Sequence, residues 1–118
     1  AMIQPNPQSQ TPAPPTSQQV VAHLQQSTML DPAQIERILA AVQNSLTDNL
    51  AKAEAAAASG DLATLAKSSH TLKGTLLQCG LADWAGKAQC IYDAAKQNQE
   101  QPFAELVAEI RAGMAQLI

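Results

Sequence analysis

From Asp31 to the C-terminus, apolar residues recur at intervals of three and four, and the pattern is interrupted only where a helix would be expected to end. Ile35, Ile38, Leu39, Val42, Leu46, Leu50 and Ala53 form the first stripe, which stops at Gly60. Leu62, Leu65, Leu72, Leu76 and Cys79 form the second, closed by Gly80-Leu81 in the glycine-plus-apolar pattern of a Schellman cap. Trp84, Ala88, Ile91 and Ala95 mark a third helix ending near Asn98. After Gln101-Pro102 a fourth carries Phe103, Leu106, Val107, Ile110, Met114 and Leu117. Asp31-Pro32 and Asp61 supply side-chain caps at two of the starts. Such spacing places one apolar face on each helix, and no segment shows the period-two alternation of a strand.

Four amphipathic helices joined by short connections bury their stripes by packing antiparallel. The expected fold is therefore all-α, an antiparallel up-and-down four-helix bundle with an additional short N-terminal helix. That extra helix is read from Val20, Val21 and Leu24 within Gln18 to Ser27, with His23 in its middle. The first 30 residues hold no Asp, Glu, Lys or Arg, and five of the seven prolines fall among the first fifteen positions. This composition buries too little apolar surface to order itself, so residues 1–17 are expected to form a flexible linker and residues 18–118 the domain. A front-end tether suggests a piece from the end of a longer protein, with Ala1-Met2 as a cloning remnant. The segment has neither the basic start nor the apolar stretch of a secretory signal.

A net charge of −3 with dispersed Lys and Arg gives no footprint for nucleic acid. No apolar run approaches the ~18 residues of a membrane span. The expectation is a soluble, cytoplasmic monomer. Cys79 and Cys90 stand without a partner at metal-ligand spacing, which suits a reducing compartment and no metal site. There is no inward-facing Glu-x-x-His pair and no glycine-rich phosphate loop, so neither a metal nor ATP is expected to bind.

On a helical wheel the second long helix carries His70 on the side away from its leucines. Lys67, Gly74, Leu77 and Gln78 share that outward face, with Lys73 at its flank. Gly74 costs about 1 kcal/mol relative to Ala in an exposed helix, yet it flattens the surface one turn beyond His70, where a partner's backbone could approach. Leu77 is an apolar side chain where a polar one would serve solubility. Together they suggest docking. His23, Gly86 and Gly113 have no such company; Trp84, Tyr92 and Phe103 read as core anchors, Cys79 as buried and Cys90 as either core edge or surface.

His70-Thr71-Leu72-Lys73-Gly74, followed after five residues by Gly80-Leu81, resembles the His-x-x-Lys-Gly…Gly signature of histidine-containing phosphotransfer domains. The similarity extends over roughly Asp31 to Ile118, including the helix, Gly60-Asp61 turn, helix layout before the histidine. The resemblance implies a domain of a bacterial hybrid sensor kinase in which His70 is the phospho-acceptor and Lys73 stabilises phosphate. Thr71, Gly74, Leu77, Lys67 and Gln78 would form the access and docking surface, and Gly80 a structural cap. It further implies response-regulator receiver domains as partners. A receiver's phospho-aspartate would be the donor to Nε2 of the imidazole, and another receiver's aspartate the final acceptor. No cofactor is expected in this chain, since Mg²⁺ would be supplied by the partner receiver. An exposed imidazole suits the role, being nucleophilic near its ordinary pKa of about 6.5.

Two positions depart from the family pattern. Leu77 stands where the family commonly has a small residue, and the polar side chain that often orients the imidazole from the next helix has only Tyr92 as a candidate here. Two other functions compete with the relay: the phospho-accepting domain of a chemotaxis-type kinase, phosphorylated from ATP by a separate catalytic domain, and a passive helical adaptor in which His70 is incidental.

Overall fold

A computed structural model describes residues 12–118. They form five helices: α1 (Ser17–Ser27), α2 (Pro32–Ser59), α3 (Leu62–Gln78), α4 (Ala82–Lys96) and α5 (Phe103–Gly113). No strand occurs among the described residues. The helix starts follow from side-chain chemistry. Asp31 accepts from the Gln34 backbone N–H at 2.8 Å, and Gln34 returns the bond to the Asp31 N–H at 3.0 Å, with Pro32 at the first helical position. Thr16 and Gln19 make the same reciprocal pair at the start of α1. Asp61 accepts from both the backbone and the hydroxyl of Thr64, and these bonds hold its carboxyl below the usual carboxylate range.

The ends follow from backbone geometry. Gly60 closes α2 at φ +75° and Gly80 follows α3 at φ +76°, a left-handed conformation that a Cβ would strain. Gly80 also admits the ring of His23, whose Nδ1 would lie 2.5 Å from a Cβ there. His23, half-buried, thus seats α1 on the α3–α4 turn.

Consecutive long helices pack against one another, α5 returns to α2, and α1 lies on α2; the α3–α4 contact is the most extensive. The shared core takes Leu46 and Leu50 from α2, Leu65, Leu72 and Leu76 from α3, Trp84 and Ile91 from α4, and Val107 and Ile110 from α5. Val20 and Leu24 of α1 belong to the same core. Polar ties add register: Arg111 on α5 grips Glu54 on α2 through two bonds of 2.6 and 2.7 Å, and Lys87 on α4 pairs with Glu109 on α5 at 2.6 Å.

Three features differ from the sequence reading. Residues 12–16, expected as tether, lie against the domain: Pro15 is buried and the Trp84 indole N–H donates to the Ala13 carbonyl at 3.1 Å. An apolar-and-proline segment needs no charge to pack when an indole offers both a surface and a donor. The remainder of the expected linker, residues 1–11, lies outside the described residues. Second, α5 stops at Gly113, and Met114 and Leu117 are buried from the turns that follow rather than from a continuing helix. Third, Tyr92 and Phe103 only border the core, both half-buried, whereas Trp84 is enclosed.

Candidate functional site

α3 presents His70 to solvent because its opposite face is committed. Leu65, Ala66, Ser68, Ser69, Leu72 and Leu76 are all buried, so rotation of the helix about its axis would expose leucines. In the sequence this face of α3 is marked by its leucines alone. The two serines directly before His70 are buried as well, and Ser69 Oγ has no hydrogen-bond partner. Beyond the histidine, Thr75 bonds Ser45 of α2 at 3.1 Å, fixing the helix on its other side.

His70 is exposed and has neither a hydrogen bond nor an ion pair among the described residues, which leaves both ring nitrogens available. One side chain borders it from α4. The ring of Tyr92 lies 5.3 Å from the imidazole, centroid to centroid, tilted by 43°. This is the geometry of an aromatic contact, and it limits where the imidazole can swing without occupying either nitrogen.

The surroundings of His70 on α3 fall into three groups. Gly74 is exposed, and a Cβ there would meet nothing within 4 Å beyond its own stretch of helix, so the surface is bare at that point. Lys67, Thr71 and Gln78 are exposed and Leu77 is 49% exposed, all on the same helix. Lys73 is half-buried. Gly80 is the turn residue already described, far from the imidazole.

On the N-terminal side of His70, α3 and the end of α4 enclose an open cleft of about 630 Å³. Lys67, His70 and Thr71 line it from α3; Tyr92 and Lys96 line it from α4, and Asn98, held at a positive φ of 55°, from the turn beyond. No motif in the sequence marks Lys96, although its place one turn after Tyr92 puts both on one face of α4. The cleft wall contains no carboxylate. Among the described residues Lys67, Lys73 and Lys96 form no ion pair, unlike Lys52, Lys87 and Arg111.

The thiols are separate from this chemistry. Burial pushes the Cys79 thiol up to about 11, which keeps it protonated and inert, while Cys90 is exposed. Among the described residues no group of three or more His, Cys, Asp or Glu is placed to hold a metal ion, and no helix is long and apolar enough to cross a membrane.

α3 thus holds an exposed imidazole beside an open cleft in an all-helical domain. The Hpt domain model matches residues 37–118, and the chain belongs to that family. Membership makes it a phosphotransfer module of two-component signalling. No curated protein and no solved structure is significantly similar to it.

Proposed function

We propose that the chain is a phosphorelay intermediate, in which His70 takes a phosphoryl group from the phospho-aspartate of one receiver domain and passes it to the aspartate of another. The observation that carries this reading is the exposure of an imidazole with no hydrogen bond or ion pair among the described residues, one turn before a helix position where a Cβ would meet nothing beyond its own helix. The short turns between α2, α3, α4 and α5, with α5 back against α2, support an antiparallel up-and-down arrangement of those four helices, with α1 added at one end.

In the transfer step the lone pair of His70 Nε2 attacks phosphorus. The N–P bond forms as the P–O bond to the receiver carboxyl breaks, its electron pair leaves with the carboxylate, and the other ring nitrogen keeps its proton. The second transfer reverses these changes on a new carboxylate. Mg²⁺ to shield the phosphoryl oxygens would come with the receiver. This chain contributes position. α3 holds the imidazole, Tyr92 limits its swing, and Gly74 lets a receiver backbone come near. Lys73, half-buried at the flank, offers a cation as the group crosses, and Leu77, Gln78 and Thr71 form the docking rim. The domain acts in the cytoplasm and uses no ATP itself.

Incubation with a phosphorylated receiver domain tests the reading directly. Acid-labile, alkali-stable phosphate is expected on the wild-type chain and none on His70→Gln. Label appearing only with a kinase catalytic domain and ATP assigns the chain to a chemotaxis-type kinase, and label surviving in His70→Gln removes the histidine from the mechanism.

A further inference from the structure

The phosphoryl group on His70 needs cations, and the residue the signature suggests for that task, Lys73, is absent from the walls of the cleft beside the imidazole. Lys67 and Lys96 are in them. Side chains on an α-helix lean toward its N-terminus, so the His70 ring is carried toward the turn of Ala66 and Lys67, both of which line the cleft, and away from Gly74. Tyr92, at 5.3 Å, bounds the ring on the α4 side of the same cleft. A group attached to the imidazole therefore has open space in front of it with a lysine on each of two helices.

Charge in this cleft has one sign. The carboxylates nearest in sequence, Asp61, Asp93 and Glu100, are not in its lining; Asp61 caps α3 through Thr64, and Asp93 accepts from Gln89 on its own helix. On α2, which packs against the other side of α3, Asp48 pairs with Lys52 and Glu54 with Arg111. Two lysines without ion pairs, standing in a cleft with no acid, repel one another slightly, and an anion between them relieves that repulsion.

We propose that the α3–α4 cleft is the resting place of the phosphoryl group while His70 carries it, with Lys67 and Lys96 as the cations that neutralise it. This rests on His70 being the acceptor, and it assigns to Lys96, outside the histidine's own helix, a role in holding the phosphohistidine. Lys73 then serves the crossing of the group at the receiver interface, not its storage.

The test separates this from the relay reading, because phosphoramidate phosphorylates an accessible imidazole without any receiver. Phosphohistidine survives alkali, so lysine titrations can be followed by ¹³C NMR at the Cε of Lys67, Lys73 and Lys96 before and after treatment, with assignments from single Lys→Arg variants. The midpoints of Lys67 and Lys96 are expected to rise by about one pH unit on phosphorylation, the Coulomb effect of a dianion about 6 Å away in a water-like medium. Lys73 should move less, and treated His70→Gln should show no shift. If Lys73 moves as far as the other two, or Lys67 and Lys96 stay in place while phosphohistidine forms, the group lies elsewhere and the inference is wrong. Failure of a phospho-receiver to label His70, with these shifts present, would instead remove the relay and leave the cleft standing as an anion site around the histidine.

Discussion

Glycine inside a helix costs about 1 kcal/mol relative to alanine, and the described helices α3 and α4 each carry one at an exposed position with nothing around it, Gly74 and Gly86. Sterically the two are equivalent, since an added methyl would meet nothing within 4 Å beyond its own stretch of helix at either. They differ in neighbourhood: Gly74 follows His70 by one turn, whereas Gly86 lies away from the cleft on α4. Alanine should therefore stabilise the protein at both positions, by about 0.5–1 kcal/mol each in urea denaturation. Only Gly74→Ala should slow phosphoryl transfer from a receiver, because only there does the methyl stand between the helix and an approaching backbone. Equal transfer rates in the two variants would reduce Gly74 to an unused glycine and leave access to His70 governed by Leu77 and the rim.

At the scale of the helix, the close approach of α4 and α5 is set by a large ring against a missing side chain. A Cβ on Gly113 would sit 2.1 Å from Cη2 of Trp84, inside the indole. Gly113→Ala should destabilise by about 1–3 kcal/mol or more, and by less in a Trp84→Phe background, where the shorter ring leaves room; a double-mutant cycle in denaturant reads that coupling. Purely additive costs would mean the alanine is accommodated by helix movement instead. This pair shows where the sequence was readable and where it was not. Helix starts were legible because Asp31 and Asp61 bond backbone N–H groups three residues away and Pro32 stands at the first helical position, where no N–H is needed. The outward direction of His70 was legible because one helix's periodicity decides it. Contacts between elements were not: nothing local distinguishes Gly113, which Trp84 fills, from Gly86, which is open, or tells that His23 covers Gly80. The same limit hid Lys96, whose meaning depends on α4 lying beside α3.

For the molecule as a whole, the match to the family begins at residue 37, yet the core does not. Val20 and Leu24 of α1 are 0% and 2% exposed, His23 rests on Gly80, and Ala13 accepts the Trp84 indole bond, so the N-terminal segment closes the end of the domain where α3 turns into α4. That end is distant from the chemistry. His70 precedes Gly80 by ten residues, about 15 Å along a helix at 1.5 Å per residue. Stability and function should therefore separate. Leu24→Ala leaves a cavity under α1 and should cost about 2–4 kcal/mol in denaturant unfolding, the range for a buried leucine. At temperatures where the variant remains folded, its rate of accepting phosphate at His70 should equal that of the wild type, since no α1 residue lines the cleft. A variant with unchanged stability would make α1 an appendage. One with a slowed transfer would show that the α1 end of the domain, close in sequence to Leu77 through Gly80, extends the surface on which a receiver docks.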